Sequence, residues 1–493
     1  MKVPLTPLDF LSRAERLYAG LEGVVDGERR FTYGEFVDRA HSLAALLRDR
    51  DVAPGDRVAF LCPNVTELLE AYFGVLLAGC VLVPLNIRLS AGEIEGILGD
   101  CSPSAVFVHP SLAQLCPGTA LDDRYQDALA ERSGQRVEPP PVDEDDVCEL
   151  FYTSGTTGGR PKGAMLTHRN LATHALDSAL TLGLHHRDVV LHTIPLFHVN
   201  GWGTPHYVTA LGAKHVMLER FDPPEVFRLI EAEGVTRLSI VPTMARSLLL
   251  SEDLEKRDLS SLVQVTVGGA PPGASLLGRL EDAFGCETIC GYGLTEAAPQ
   301  VTKAVTLRSH DRLSPEQRRA RQATTGLPNV GVDLRVLDDE DREVPWDGAT
   351  AGEICIRSNH VMAGYWNQPE ATEDALRGGW LRSGDLATVD AEGYVMIVDR
   401  KKDLIISGGE NVSSVEVEEC LCEHPSVLEA AVVGMADERW GEVPRAFVAL
   451  RPGSEKVSPA ELIEFVRSRL AHFKAPKRVD ILDALPKGGT GKI

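Results

Sequence analysis

The residues from Tyr152 to Gly163 read Tyr-Thr-Ser-Gly-Thr-Thr-Gly-Gly-Arg-Pro-Lys-Gly. Three Thr, one Ser, four Gly and one Lys fall within these twelve residues. Such a loop can turn several backbone N–H groups and hydroxyls toward an anion, because glycine removes the steric barrier to close approach. It is not the usual nucleotide-binding P-loop, in which Ser or Thr follows a Gly-Lys pair, because Lys162 lies between Pro161 and Gly163. We therefore predict a polyphosphate grip of another kind, with a flexible linker as the alternative.

Glycine-bearing turns also follow two predicted buried strands, at residues 263–267 and 288–290. The first strand ends in Gly-Gly-Ala-Pro-Pro (268–272) and the second in Gly-Tyr-Gly-Leu-Thr-Glu (291–296). In open α/β sheets, ligands bind at such strand ends. A third predicted strand, at 189–193, precedes His198 and Trp202. We expect His198 to line a substrate pocket, and for Trp202 a pocket and a core position remain equal alternatives.

The elements that position these turns alternate between strand and helix, which predicts a parallel α/β architecture. After residue 326, short strands with Gly and Asp turns indicate an antiparallel unit. The arginine-rich residues 308–322 are expected to form an exposed, mobile connector. Residues 401–493 carry 13 Lys/Arg against 15 Asp/Glu, whereas the whole chain has a net charge of -22. We predict a large domain at 1–399 and a small α+β domain at 400–493.

Composition narrows the class of protein. The net charge of -22 argues against a nucleic-acid partner, because a phosphate backbone would be repelled. The ten cysteines contain no CxxC pair, which favours a reducing cytoplasm. The first ten residues lack the apolar core of a signal peptide, and the longest apolar run, residues 74–85, is too short to span a bilayer. We expect a cytoplasmic protein without a membrane span.

Five motifs together resemble the adenylate-forming superfamily of acyl-CoA synthetases, adenylation domains and luciferases. They lie at residues 152–163, 291–296, 384–385, 399–411 and 486–492. The resemblance implies a large domain of two parallel-rich sheets with helices and a β-barrel-like subdomain, followed by a small mobile domain. It also implies activation of a carboxylic acid by ATP to an acyl-adenylate, then transfer of the acyl group to CoA. Adenylation turns a poor electrophile into a reactive one by supplying a good leaving group.

The resemblance assigns the nucleotide site residue by residue. The β- and γ-phosphates would be wrapped by Thr153, Ser154, Gly155, Thr156, Thr157, Gly158 and Lys162. Thr295 and Glu296 would stand at the α-phosphate, with Glu296 the ligand of Mg2+. Tyr292, between Gly291 and Gly293, would stack on adenine, whose edge the Gly269 and Ala270 backbone would line. Asp385 and Arg400 would hold the ribose.

The small domain would contribute to both half-reactions. Lys492 would bridge the acyl carboxylate and the α-phosphate during adenylation. Rotation about Lys402 would then withdraw it and bring in the loop Ser407-Gly408-Gly409, past which the CoA arm would run. Many relatives have a proline where this chain has Ser413-Ser414, so the rigidity of that loop stays open. Because relatives commonly continue further, we expect the native chain to extend past Ile493.

The acid itself is only partly specified. His198 would separate the acyl tunnel from the nucleotide, and Val199, Trp202 and Gly268 would shape the tunnel. An amino acid is disfavoured because His198 follows Phe197, where α-amino-acid activators usually carry Asp. An aliphatic or aryl acid is therefore expected. Residues 195–203, with residues 268–272, most resemble the fatty-acyl-CoA ligase branch, particularly its medium-chain members. Transfer to a carrier protein or an amine is the alternative, a non-catalytic nucleotide-binding protein is a third, and the oligomeric state, a homodimer included, stays open.

Overall fold

The computed structural model describes residues 1–153, 161–408, 410–437, 439–454 and 457–487. It confirms the predicted α/β class. The helices are α1 (Leu8–Tyr18), α2 (Tyr33–Asp49), α3 (Thr66–Leu77), α4 (Ala91–Cys101), α5 (Asp123–Ala130), α6 (His168–Thr181), α7 (Val199–Leu211), α8 (Pro223–Glu233), α9 (Pro242–Leu249), α10 (Ala274–Phe284), α11 (Pro315–Gln322), α12 (Pro369–Ala375), α13 (Ser414–Cys422) and α14 (Pro459–Arg467).

The strands are β1 (Glu22–Asp26), β2 (Arg29–Thr32), β3 (Arg57–Leu61), β4 (Val81–Leu85), β5 (Ala105–Val108), β6 (Thr119–Ala120), β7 (Val147–Thr153), β8 (Lys162–Thr167), β9 (Val189–His192), β10 (Lys214–Met217), β11 (Arg237–Ile240), β12 (Gln264–Val267), β13 (Glu287–Gly293), β14 (Gln300–Lys303), β15 (Leu327–Pro328), β16 (Val332–Leu337), β17 (Gly352–Ser358), β18 (Gly364–Tyr365), β19 (Leu381–Val389), β20 (Val395–Arg400), β21 (Ile405–Ser407), β22 (Glu410–Val412), β23 (Val427–Asp437), β24 (Gly441–Leu450) and β25 (Arg478–Leu482).

Two large sheets form the body of the molecule, as expected. One has the order β18-β8-β7-β4-β3-β5-β6 and the other β15-β14-β13-β12-β11-β9-β10-β1-β2. The strands from β7 to β6 in the first sheet, and from β13 to β1 in the second, run parallel to one another. β4, Val-Leu-Val-Pro-Leu, is wholly buried, as strands covered by helices on both faces must be. The carboxyl ends of these strands therefore carry the turns singled out in the sequence.

The expected barrel-like unit is an open sheet of four antiparallel strands, β16-β17-β19-β20. A barrel would require β20 to pair with β16. Instead, the backbone before β15 occupies the β20 edge: the Val395 oxygen accepts from the Thr325 nitrogen at 2.9 Å, and the Val395 nitrogen donates to the Gly326 oxygen at 2.9 Å. Within the described residues, this subdomain is thus an open sheet, and the segment at Thr325 and Gly326 adds to its β20 edge.

The stretch at 308–322 is exposed along most of its length, as expected, and it also has secondary structure that was not predicted. It contains α11, which begins with a capping box between Ser314 and Gln317. Arg321 forms ion pairs with Asp390 and Glu392, which tie the helix to the turn between β19 and β20. A run of arginines predicted exposure, but it gave no signal of the acidic partners that lie about 70 residues away in sequence.

The last hundred residues pack around their own apolar cluster, which includes Ile405, Val432, Val448 and Val466. The order β22-β21-β24-β23, with β25 beside β24, makes a small mixed sheet on which α13 and α14 lie. At its base, Asp399 of β20 accepts hydrogen bonds from the Ser414 backbone nitrogen at 2.6 Å and from its hydroxyl at 3.1 Å. None of the helices in the described part of the chain is long and apolar enough to cross a membrane.

Candidate active site

The glycine-rich stretch joins β7 to β8, which pair antiparallel from Val147 opposite Thr167 to Thr153 opposite Lys162. The first residues of β8, Lys162 and Gly163, belong to the stretch that was predicted to be a loop. Ser154, Gly155, Thr156, Thr157 and Gly158 lie outside the described residues. The two predicted phosphate-binding residues that remain, Thr153 and Lys162, are cross-strand neighbours, so both ends of the stretch are anchored on one hairpin.

Tyr365 brings the hairpin and the predicted metal-binding residue together. Its hydroxyl donates a hydrogen bond to Glu296 Oε1 at 2.8 Å, and the Lys162 ammonium lies 4.9 Å from the centre of its ring. β18, which contains Tyr365, pairs with β8. Burial, and then the Glu296 carboxylate, raise the pKa of Tyr365, so the phenol keeps its proton and remains a donor. Sequence reasoning did not single out Tyr365, because it lies about 70 residues from Glu296.

Glu296 itself lies in a short 3₁₀ turn, Thr295–Ala297, at the carboxyl end of β13. The backbone of the turn is fixed by a bond from the Met362 nitrogen to the Glu296 oxygen, 2.9 Å. Thr295 is buried beside it. The described residues contain no cluster of three or more His, Cys, Asp or Glu side chains that would hold a metal by themselves. A single carboxylate beside a phosphate site fits Mg2+, which keeps waters and binds through one or two carboxylates plus substrate phosphates.

The predicted adenine and ribose residues form a second contact group. The Tyr292 hydroxyl donates to Asp385 Oδ2 at 2.6 Å, and Arg400 Nε lies 3.6 Å from Asp385 Oδ1. Asp385 and Arg400 are cross-strand partners on β19 and β20. Burial and the Asp385 charge raise the pKa of Tyr292, which stays a neutral donor. A carboxylate accepts only, which suits it to the two hydroxyls of a ribose.

Close packing of the backbone explains why glycine lies next to Tyr292. The prediction placed Gly291-Tyr292-Gly293 in a turn, whereas β13 continues through Gly293. A Cβ on Gly293 would lie 2.1 Å from the Pro299 backbone oxygen, so only glycine fits there. On the neighbouring strand end, Gly269 and Ala270 are exposed, as residues that border an open cleft would be.

The residues after β9 form an unusual left-handed turn. Val199, Asn200, Gly201, Trp202 and Gly203 all have positive φ, from 34° to 88°. Positive φ is costly for a β-branched residue such as Val199, and strained backbone of this kind is concentrated at functional sites. Trp202 is buried, and its ring lies 3.0 Å from the position that a Cβ on Gly268 would occupy. His198, partly exposed, lies immediately before the turn.

Sequence reasoning missed the buried polar residues on β14. Lys303 is only 1% exposed, and Gln300 is 5% exposed. Neither the Lys303 ammonium nor Gln300 Oε1 has a hydrogen-bond partner among the described residues. Lys303 lies opposite Gly291 in the strand register. The signal in the sequence was a Gln and a Lys in a strand that directly follows the Gly-Tyr-Gly-Leu-Thr-Glu motif.

In the small domain, Ser407 ends β21 and Gly408 turns the chain toward β22. Gly408 has φ of 63°, and its backbone nitrogen donates to the Trp440 oxygen at 2.8 Å. Lys402 is exposed in the turn after β20. Gly409 and Lys492 lie outside the described residues. Trp440 thus holds the backbone of Gly408, and Lys402 lies in the chain between β20 and β21.

Two family models match the chain. The model of the AMP-binding enzyme matches residues 12–366, and that of the AMP-binding enzyme C-terminal domain matches residues 416–492. The chain belongs to the AMP-binding enzyme family.

Similar proteins agree with this family. The AMP-binding enzyme is 40% identical to a feruloyl-CoA synthase of an Amycolatopsis species, over 98% of this chain and 96% of that protein. It is 38% identical to a peroxisomal butyrate–CoA ligase of Arabidopsis thaliana, over 100% of this chain and 92% of that protein. The crystal structure of an anthranilate CoA ligase in complex with anthranoyl-AMP superposes with a TM-score of 0.91 at 27% identity, covering 100% of this chain and 97% of that one.

The predicted class is therefore confirmed. This AMP-binding enzyme is an AMP-forming acyl-CoA ligase, which activates a carboxylic acid with ATP and passes the acyl group to CoA. The narrower resemblance to medium-chain fatty-acyl-CoA ligases is not decided by these relatives, since their names include an aliphatic and an aryl acid.

Proposed function

We propose that the cleft between the hairpin, the β13 end and the β19–β20 pair holds ATP, and that the side chains described there divide its parts between them. The Glu296–Tyr365–Lys162 group would face the phosphates, and the Tyr292–Asp385–Arg400 group would face the nucleoside. The observation that supports this most directly is Tyr365, which ties the hairpin lysine to the Glu296 carboxylate through contacts of 4.9 Å and 2.8 Å.

The protein's task in adenylation is to bring two anions together, a carboxylate and a triphosphate. Lys162, with Thr153 and the residues between them, would lower that cost at the β- and γ-phosphates. Glu296 would hold Mg2+, which supplies charge neutralisation at the phosphate oxygens when bound. Thr295 would contact the α-phosphate. Tyr365 would orient the Glu296 carboxylate by occupying one of its oxygens.

The nucleoside would be held by paired groups. Tyr292 would stack on adenine while its hydroxyl keeps Asp385 in place, and Gly269 and Ala270 would border the base through backbone groups. Asp385 would accept hydrogen bonds from the ribose hydroxyls, which Arg400 would support. The short Tyr292–Asp385 bond of 2.6 Å fixes the carboxylate before the nucleotide arrives.

The domain boundary near residue 400 supports a two-step cycle. We place the large domain at 1–399 and the small domain at 400–493, with the pivot at Lys402. Lys492 would serve adenylation, and the Ser407-Gly408-Gly409 loop would serve CoA. A distinct apolar cluster on the small-domain side of Lys402 supports this division.

The acid would bind where Trp202 and Gly268 meet, with His198 between it and the nucleotide. An aliphatic or aryl monoacid fits an apolar wall built from the Trp202 ring. The butyrate and feruloyl relatives bracket that range of acid sizes.

The ten unpaired cysteines support a reducing compartment such as the cytoplasm.

Pyrophosphate exchange into ATP tests the first half-reaction. Exchange should occur only when a carboxylic acid from a short, medium and aryl panel is added, and AMP should appear when CoA follows. Lys492→Ala should lose exchange by about 100-fold or more while keeping thioester formation from supplied acyl-adenylate, because only the first step brings the two anions together. Equal loss of both steps would refute the role of Lys492, and absence of AMP with every acid would refute the proposed reaction.

The acceptor is tested separately. We propose a carrier protein or an amine as a second acceptor beside CoA, since the pantetheine arm that would pass Ser407 and Gly408 is common to CoA and a carrier protein. Mass spectrometry of products formed with CoA, with a phosphopantetheinyl carrier protein and with free amines distinguishes them. Acyl-CoA as the main product supports CoA, whereas acyl carrier or amide formed faster than acyl-CoA would overturn it.

A further inference from the structure

Unpaired buried polar atoms are concentrated around β14. In the described part of the chain, they include the Lys303 ammonium, Gln300 Oε1, His174 Nδ1 and His360 Nδ1. The His174 and His360 rings lie 5.5 Å apart, and the Gln300 backbone nitrogen donates to His174 Nε2 at 3.3 Å. Buried polar groups are nearly always hydrogen-bonded, because leaving one unpaired costs about 1–3 kcal/mol. Several together in one neighbourhood require an explanation beyond chance.

Lys303 is the most demanding member of this group. Lysine is almost never fully buried unless it is paired, yet the Lys303 ammonium has no hydrogen-bond partner among the described residues. Burial lowers the pKa of Lys303 to about 8, with Cys290 and Asp177 opposing the shift from a distance. The Lys303 nitrogen therefore lies in a buried environment that destabilises the charged ammonium and leaves the neutral amine without a hydrogen-bond partner.

The position of Lys303 connects it to the proposed acyl site. A Cβ on Gly291 would lie 3.1 Å from Lys303 Cδ and 3.2 Å from its ammonium, so the lysine runs alongside that glycine. The Gly291 oxygen lies 3.2 Å from the Cβ position of Gly268, which in turn meets the Trp202 ring at 3.0 Å. A chain of packed contacts therefore connects the Trp202 wall of the proposed acyl site, through Gly268 and Gly291, to the Lys303 head.

We propose that Lys303, together with Gln300 of the same strand, selects carboxylic acids that carry an oxygen acceptor at the end remote from the activated carboxyl group. The acceptor would be a hydroxyl, carbonyl or second carboxylate oxygen. This rests on the acyl site of the proposed function. A site built to hydrogen-bond a polar group rejects the analogue that lacks it far more strongly than an apolar pocket rejects an extra methylene. Lys303 would thus be a specificity-determining residue that contacts the substrate.

Acids of matched length test this. The kcat/KM values for acyl-CoA formation would be compared for hexanoate, 6-hydroxyhexanoate and adipate, and for cinnamate and 4-hydroxycinnamate. In the wild type, the oxygen-bearing acid should be preferred by about 10-fold or more in at least one series. In Lys303→Met, which keeps the length without the polar head, the preference should fall to within about twofold, mainly through KM. Lys303→Gln, which keeps a donor, should retain part of it.

The pH dependence of the preference distinguishes a carboxylate acceptor from a hydroxyl acceptor. A preference for adipate should weaken as pH rises above about 8, where Lys303 loses its proton, whereas a preference for a hydroxyl acid should change less. Lys256→Met, at an exposed lysine, serves as the matched control and should leave every ratio unchanged. Thermal melting checks folding, and Gln300→Leu gives a second, uncharged route to a reduced preference if Lys303→Met does not fold.

Two outcomes would overturn the proposal. One is a wild type that prefers the plain acid in both series. The other is a folded Lys303→Met enzyme with the wild-type ratios, or a Gln300→Leu enzyme with those ratios where Lys303→Met does not fold, which would make Lys303 a structural residue. In either case AMP formation with plain acids would leave the proposed function intact. No AMP formation with any acid would refute the proposed function itself.

Discussion

The two halves of the proposed cleft treat their polar groups differently. In the nucleotide half, Glu296 and Asp385 each accept a hydrogen bond from a neutral phenol, Tyr365 or Tyr292. In the acyl half, around Trp202, Gly268 and Gly291, the polar heads of Lys303 and Gln300 lack such partners among the described residues. A polar group that is already held in position needs no free energy to reorient when the ligand binds. An unpaired polar group gains a hydrogen bond when the ligand binds. If the proposed sites are right, the nucleotide half would be built for one ligand, and the acyl half for discrimination among ligands.

This contrast predicts two classes of variant. Changes in the nucleotide half should lower activity by the same factor with every acid, because every acid needs the same ATP. Changes in the acyl half should alter the ratio between acids.

Glu296→Gln should reduce pyrophosphate exchange by about 100-fold or more with butyrate and with an aryl acid alike, because the neutral amide loses the charge that attracts Mg2+. Tyr365→Phe, which keeps the ring beneath Lys162 but not the hydroxyl, should cost only about 10-fold. Glu225→Gln, at a partly exposed carboxylate paired with Arg228, is the control and should behave as wild type. A loss confined to one acid would break the contrast between the halves.

Asp385→Asn should raise KM for ATP by about 10-fold with a smaller change in kcat, because a hydrogen bond to a charged group contributes about 1.5–3 kcal/mol. Tyr292→Phe should have a weaker effect. Since the two side chains are in direct contact, the double variant should fall short of the sum of the single effects, as steady-state kinetics in a double-mutant cycle would show. Strict additivity would mean that the 2.6 Å bond does not orient the carboxylate.

Gly268→Ala should shift selectivity toward small acids. The added methyl would lie 3.0 Å from the Trp202 ring, so kcat/KM for aryl acids should fall by about 10-fold relative to butyrate. Gly96→Ala, in α4 with nothing within 4 Å of its Cβ position, is the matched control and should leave the ratio unchanged. Equal loss with both acids would assign Gly268 to the nucleotide half.

His192→Gln should flatten the acid side of the stability profile. Burial lowers the pKa of His192 to about 3, so below the unfolded value of about 6.5 only the unfolded chain takes up the proton. Its contribution to stability is complete above about pH 6.5 and is lost as pH falls toward 3, at about 1.4 kcal/mol per pH unit. Urea titrations from pH 8 to 5 should show a slope smaller by that amount in the variant. Parallel curves would contradict the assignment.

His168, His174 and His360 act in the same direction, since burial lowers each of their pKa values. Glu418 opposes them, because burial raises its pKa to about 7 and so favours the folded state as pH falls from 7 to its unfolded value. The comparison between wild type and variant isolates His192 from these other groups.

Much of the overall fold could be predicted from the sequence. The parallel sheets and the antiparallel unit after residue 326 agree with prediction, because strand–helix alternation and local turn residues indicate them. β8 was missed because its first residues belong to the stretch that was predicted to be a loop. Contacts such as Tyr365 with Glu296 could not be predicted, since 69 residues separate them and no local pattern encodes their meeting.

The acyl half shows the same limit more strongly. The left-handed turn at 199–203 and the burial of Lys303 depend on packing between α6, α7 and β14, which are far apart in sequence. A strand with Gln and Lys gives no sign of which face is covered. Chemistry carried by a motif was therefore visible in the sequence, and chemistry produced by assembly was not.

The bonds from Asp399 to Ser414 close a loop around residues 400–413. For a pivot at Lys402, one partner belongs to the stationary body and the other to the part that turns. A rotation about Lys402 would therefore have to break both hydrogen bonds, of 2.6 Å and 3.1 Å, and leave without these partners a carboxylate whose pKa burial has raised. Each such bond contributes about 1.5–3 kcal/mol, so the conformation with both bonds formed would be the resting state of the enzyme. Breaking them would then limit the rate of turnover.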